Sequence, residues 1–215
     1  MTPTQVNTAA RLRYNATGDT FWSDAEMYDL MYQGSLQLAT KGLLIERTFT
    51  TTSVASQQEY AWPSNAIAIK RAQYDGKKLA PFTFREDDVL TALHQGTTTT
   101  GVPTSYAFWN DTFYLRPIPA TAALTIKVWA YVRPSPVTVS STLEIPVEWH
   151  MDLIYFLLRE MDAKNKNYQG ASYYGTLWAD TVARAERFAM KRKRRDALAV
   201  VKNVDVMYQT TLGNI

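Results

Sequence analysis

The chain has 215 residues, no cysteine, 46% hydrophobic residues and a net charge of +3. Disulfides, thiolate metal sites and a cysteine nucleophile are therefore excluded, and the apolar content suffices to bury a core. No apolar leader and no run of 18 apolar residues occurs in the sequence, so neither a signal peptide nor a transmembrane helix is expected, and synthesis is expected in a cytosol.

Residues 3–13 fit a short helix with Thr2 as N-cap and Pro3 at its first position. After a break at Asn15–Asp19, Ser23-Asp24-Ala25-Glu26 reads as a capping box, with Trp22 placed to staple onto Met27. Met27, Leu30, Met31, Gly34 and Leu38 then repeat at helical spacing as far as Lys41-Gly42. Residues 1–44 thus supply the first helices of a bundle.

The period changes to two over residues 45–140. Thr48–Ser53, Tyr60–Pro63 and the alternation about Ile67, Ile69 and Arg71 read as strands, and Asp75-Gly76 is a hairpin turn leading to Lys77-Lys78-Leu79. Arg85–Leu93 is a short helix or a charged loop, and Gly96–Gly101 is a loop. Tyr106–Trp109 and Thr112–Arg116 flank an Asn110-Asp111 turn, and Pro117-Ile118-Pro119 ends that hairpin. Ala123–Val132 is the clearest strand, with Leu124, Ile126, Val128, Ala130 and Val132 on one face. Residues 141–202 return to helix. Pro146 opens one helix, with a core stripe of Val147, Met151, Ile154, Leu158 and Met161 that runs to Lys164. A second runs from Ala171 to Val200, with Leu177, Trp178, Thr181, Ala185, Phe188 and Ala189 as its packed face. Residues 203–215 read as an extended tail. The fold class expected is α+β: a bundle of three to four helices, an inserted antiparallel β domain and an extended C-terminal tail.

No catalytic constellation appears. The two histidines, His94 and His150, are far apart in sequence and fit no His-based metal motif. Gly96–Gly101 has phosphate-loop glycine spacing but is followed by Val102-Pro103. Glu86-Asp87-Asp88 lacks a calcium-loop spacing, and Glu86 and Glu144 form no evident acid pair. The expectation is a protein that is not an enzyme and takes no cofactor or metal. The charge is uneven: residues 184–202 hold eight cations and two acids, a net +6, so the other residues carry −3. Lys191, Arg192, Lys193, Arg194 and Arg195 are the centre of that run, suited to DNA phosphates or to a protein partner.

Several segments together resemble the head-to-tail adaptor (connector) proteins of tailed bacteriophages, including the tail-tubular or gatekeeper-type adaptors. These are Phe21-Trp22-Ser23-Asp24-Ala25-Glu26 ahead of the β insertion, Gly101-Val102-Pro103-Thr104-Ser105-Tyr106 and Tyr114-Leu115-Arg116-Pro117-Ile118-Pro119 within it, and Ile145-Pro146-Val147-Glu148-Trp149 after it. The resemblance implies a structural virion protein at the head–tail junction. It would form a homo-oligomeric, dodecameric ring beneath the portal ring, continue the channel for double-stranded DNA without sequence preference, and hold a downstream tail or nozzle protein. It places a portal-docking tail on Val204, Val206, Met207, Tyr208 and Leu212. Trp109, Phe113, Trp129 and Tyr131 are candidates for faces between subunits or toward the tail. The alternatives are a nucleic-acid-binding protein acting through the basic helix, and a tail-completion or neck protein one layer below the adaptor.

Overall fold

A computed structural model describes residues 1–83, 99–109 and 111–212, those from 193 onward as helix backbone only. The chain divides into two compact units, Met1–Ile45 with Pro134–Ile215 and Glu46–Arg133.

The first unit holds four α-helices: α1 (Pro3–Arg13), α2 (Asp24–Gly42), α3 (Leu153–Lys164) and α4 (Tyr168–Leu212), with a 3₁₀ turn at Val147–Trp149 ahead of α3. α1 starts with a full capping box: Thr2 Oγ1 accepts from Gln5 N, and Gln5 Oε1 accepts from Thr2 N. At α2 only half of the expected box forms. Ser23 Oγ accepts from Glu26 N at 3.2 Å, but the Glu26 carboxylate accepts from Lys164 Nζ at 2.7 Å, because Lys164 at the end of α3 offers a full charge. Trp22, 1% exposed, closes this corner under Lys164.

The core of this unit is built by Met27, Met31 and Leu38 of α2, Leu153, Ile154, Leu157, Leu158 and Met161 of α3, and Trp178, Ala185 and Ala189 of α4. Small residues set how closely the helices approach. A Cβ on Gly34 would lie 3.1 Å from Leu153 Cδ2, and one on Gly42 would lie 2.9 Å from the Ala185 Cβ. At the α3–α4 turn, Asp162 is buried. It accepts from Tyr14 Oη at 3.0 Å and from Asn167 Nδ2 at 2.9 Å, which ties α1 to that turn.

Three helical expectations are corrected. The helix drawn from Pro146 begins at Leu153. His150 N donates to Val147 O, which tightens this stretch into a 3₁₀ turn, so Val147 and Met151 leave the core stripe and are 69% and 45% exposed. The last helix begins at Tyr168. It does not give way to an extended tail at 203 but continues to Leu212, because no proline or glycine lies between Gly175 and Gly213, and continuing the helix pairs the backbone groups of this stretch within it.

Among the described residues the second unit contains ten strands: β1 (Glu46–Thr52), β2 (Glu59–Ala61), β3 (Ala66–Tyr74), β4 (Lys77–Lys78), β5 (Ala80–Pro81), β6 (Thr100–Gly101), β7 (Ser105–Trp109), β8 (Thr112–Arg116), β9 (Ile118–Pro119) and β10 (Thr125–Val132). They form sheets ordered β1-β10-β3-β4 and β2-β8-β7-β5, with β6-β9 as a separate pair. The Asp75-Gly76 turn joins β3 to β4, both residues at positive φ as a tight hairpin requires. Contrary to a purely antiparallel insertion, β5–β7 and β6–β9 are parallel. Parallel neighbours need a long connection, and more than twenty residues separate β5 from β7. The inner faces of the two large sheets meet over Tyr60, Trp62, Tyr74, Tyr106, Phe113, Leu115, Ile126 and Val128. Arg85–Leu93 and Gly96–Thr98 lie outside the described residues.

Candidate functional site

α4 has 45 residues and so spans about 67 Å, against about 28 Å for α2 and about 18 Å for α3. α2 runs alongside it: Trp178 Nε1 donates to Gln37 Oε1 at 2.6 Å, Gly42 abuts Ala185, and Arg192 Nη1 donates to Leu43 O at 3.3 Å. α3 runs the opposite way: Phe156 meets Trp178 edge-on, and Asp152, just ahead of α3, pairs with Arg184. Both flanking helices therefore end opposite residues 184–192, and α4 continues past them.

At that point a groove of about 420 Å³ is lined by Glu148, Trp149, Asp152, Arg184, Arg187, Phe188 and Lys191. Arg184, Arg187 and Lys191 share one face of α4 by their spacing. Arg184 caps the Trp149 ring at 5.0 Å, and Trp149 meets Phe188 edge-on at 6.3 Å. Burial raises the Asp152 carboxyl pKa, and the Arg184 guanidinium partly offsets this. Arg187 and Lys191 are exposed and carry no hydrogen bond or ion pair among the described residues. Arg192 is half-buried and committed to Leu43 and to the Phe188 ring, 5.6 Å away. The side chains of Lys193, Arg194 and Arg195 lie outside the described residues, as do those of Val204, Val206, Met207, Tyr208 and Leu212. On the helix backbone, Val204, Met207, Tyr208 and Leu212 fall at i, i+3, i+4 and i+8, one side of the helix, and Val206 falls off that row.

The aromatic candidates separate. Phe113 is 1% exposed at the centre of the β unit, stacked on Trp62 at 5.8 Å and on Tyr106 at 5.3 Å. Tyr131 is buried at 6% exposure. Trp129 is half-buried on the outer face of β10, with Arg71 at 5.4 Å and Lys127 at 5.1 Å from its ring centre. Trp109, at the end of β7, is 65% exposed. Sequence reasoning missed the groove and its Arg184–Asp152 pair. The spacing of Arg184, Arg187 and Lys191 marked the cationic face, but nothing local marked the acids facing it.

His150 faces no groove. Its Nδ1 accepts from the Met1 ammonium at 2.8 Å, which leaves Nε2 to donate to Ile145 O at 2.8 Å. Burial lowers its pKa. Glu144 accepts from Ser135 Oγ at 3.0 Å. Among the described residues no acidic or histidine cluster has metal-site geometry, and no helix is long and apolar enough to cross a membrane. His94 and the Glu86–Asp88 cluster lie outside the described residues.

No curated protein matches the chain. A protein-family model described as SU10 adaptor protein matches residues 1–203, nearly the whole sequence. The chain therefore belongs to the SU10 adaptor protein family and is a structural phage adaptor, a component of the virion that interacts with other head and tail proteins.

Proposed function

We propose that the chain forms a homo-oligomeric ring between the portal ring and the tail, continues the channel through which double-stranded DNA passes, and offers a platform to the downstream nozzle protein. Its role is structural and not catalytic. The observation that carries this reading is that α4 outruns both helices that flank it, by a length that needs another surface to cover it. That surface is the portal. Val204, Met207, Tyr208 and Leu212 supply the docking stripe, in the manner of an amphipathic helix laid into a groove. These positions follow the family match, which ends at Asn203. Trp109 is the aromatic residue best placed for a neighbouring subunit or the nozzle.

The test is the mass of complexes formed with portal rings from the same virion. One copy per portal subunit at saturation is expected, and loss of binding on deletion of residues 204–215. An intact complex after that deletion would reject the docking stripe, and no complex with well-formed portal rings would reject the ring position.

A second reading has its own observation. Arg187 and Lys191 stand exposed without partners among the described residues, beside a run of further cations. In that reading α4 contacts DNA phosphates through charge alone. Binding of the free chain to duplex DNA should then weaken steeply with salt, and Arg187→Gln with Lys191→Gln should reduce the slope of log affinity against log salt by about 2. A slope near zero would reject it.

A further inference from the structure

Among the described residues the two four-stranded sheets of the β unit present four edges, and three are blunted. β4 has two residues, both lysine; β5 has two, one of them proline; β2 has three and begins with Glu59. Short edges, lysine and proline are the devices by which sheets avoid pairing with other chains. β1 has none of them over Thr48–Thr52. It is seven residues long and holds an unbroken register with β10, whose irregularities fall on the β3 side.

The direction of its backbone groups is fixed. Ser53 N donates to Leu124 O at 2.8 Å, and Ser53 O accepts from Ala123 N at 2.8 Å, so Ser53 faces the β10 side. Backbone polar groups alternate sides along a strand. Thr51 and Phe49 therefore also bond toward β10, and Thr48, Thr50 and Thr52 point their N–H and C=O groups away from the sheet. All three are exposed, and these groups have no backbone partner among the described residues. Beside this edge a cleft of about 170 Å³ enters the core, lined by Phe49, Thr51, Tyr60, Trp62, Phe113 and Ile126 among others. Phe49 pairs with Val128 and Thr51 with Ile126, so the cleft lies on the inner face of the same strand.

We infer that β1 is a strand-addition site that takes an extended segment of a partner protein of the virion. The segment is about five residues long and uncharged, apolar at its second and fourth positions and polar at the others, since strand addition gives affinity through the backbone and specificity through alternate side chains. The apolar positions fall beside Phe49 and Thr51 and close the cleft; the polar ones fall beside Thr48, Thr50 and Thr52. A second copy of this chain fits less well. Among the described residues its other large-sheet edges, at two or three residues, are too short, and β1 against β1 is a two-fold contact that closes at a dimer. The site belongs to a different unit from the α4 docking stripe and stands or falls separately from the portal reading.

The test is amide hydrogen exchange, resolved residue by residue, on the free full-length chain and on neck complexes purified from virions. The Phe49 and Thr51 amides should be slow in both. The Thr48, Thr50 and Thr52 amides should be fast in the free chain and about 100-fold slower in the neck. Equal rates in the two would overturn the site. Protection already present in the concentrated free chain, with a dimer mass, would overturn the heterologous partner in favour of a second copy. Thr50→Pro removes one outward N–H without touching the β10 ladder, and Thr51→Lys sets a charge at the cleft mouth with the backbone intact. Each should fold, bind portal rings as the parent does, and lower the yield of tailed particles about tenfold or more. Parental yield from a folded Thr51→Lys chain would overturn the proposal even where Thr50→Pro fails to fold.

Discussion

The helical unit and the β unit reach stability by opposite routes. In the helical unit glycines bring backbones together, and two buried polar residues, Asp162 and His150, are joined to partners from distant parts of the chain. In the β unit large rings fill the space between the sheets, with Trp62 meeting Phe49, Phe108 and Phe113 at 5.7, 5.4 and 5.8 Å. Close approach fills the space between these helices, so that unit offers a partner its long helix and the groove beside Arg184. Ring packing leaves a gap where the sheets part, so the β unit offers an edge and a cleft. Each unit's surface for partners follows from how its core is filled.

The sharpest way to break the comparison is to empty the ring core. Phe113→Ala removes a ring 1% exposed that stacks on both Trp62 and Tyr106, and should cost about 3–5 kcal/mol in chemical denaturation. A cost below about 1 kcal/mol would mean that the sheets collapse onto the gap and that ring volume is not what holds them apart. Next is close approach. A Cβ on Gly170 would lie 2.2 Å from Asp162 Oδ2 and 2.6 Å from Asn167 Nδ2, whereas one on Gly175 would meet only Arg159 Cδ at 3.7 Å. Gly170→Ala should therefore cost about 1–3 kcal/mol. Gly175→Ala should be neutral or stabilising by up to about 1 kcal/mol from helix propensity. Equal effects at the two glycines would show that close backbone approach does not set the packing of the helical unit.

Much of this contrast was legible in the sequence, because it rests on local periodicity. β10, the Asp75-Gly76 hairpin and the β7–β8 hairpin follow from alternation and turn residues, and α2 follows from Ser23 and the spacing of Met27, Met31 and Leu38. What was not legible depends on residues far apart in sequence. Glu26 serves Lys164 instead of its own cap. The parallel pairs β5–β7 and β6–β9 are two residues long and carry no pattern of their own. The groove joins Asp152 to Arg184 across two helices. The end of α4 was not legible for another reason: the charged run at Lys191–Arg195 interrupts the apolar spacing of the packed face, yet nothing in the sequence stops the helix before Gly213.

A smaller effect tests the buried polar groups. Burial lowers the pKa of His150, so the folded state binds fewer protons there than the unfolded chain. Stability from this source is full above the unfolded value, about 6.5, and is lost as pH falls from there through the lower folded value. Asp152 acts in the opposite sense. Its raised pKa means that acid relieves a cost, in a window above the ordinary carboxylate value of about 3.9. Between pH 7 and pH 5 denaturation midpoints should therefore fall for the parent chain and stay nearly level for His150→Gln, whose amide can still donate to Ile145 O. A parallel fall in both would assign the loss to other groups.

The smallest effect belongs to the rim of the helical unit, where the comparison predicts almost nothing. Lys41 Nζ lies 3.6 Å from Glu186 Oε1, with the two side chains 59% and 42% exposed. Water screens the pair and two long side chains lose freedom to form it, so Lys41→Ala should change stability by about 0.5 kcal/mol or less. Just inward of this pair lies the Gly42–Ala185 contact, where a Cβ would lie 2.9 Å from its neighbour. Gly42→Ala at that contact should cost about 1–3 kcal/mol. Measured side by side in low salt and in 1 M salt, the lysine variant should approach the parent as salt rises, and the glycine variant should keep its full deficit. A lysine variant that costs as much as the glycine one, and keeps that cost in high salt, would show that charge at the rim, and not backbone proximity, holds α2 to α4.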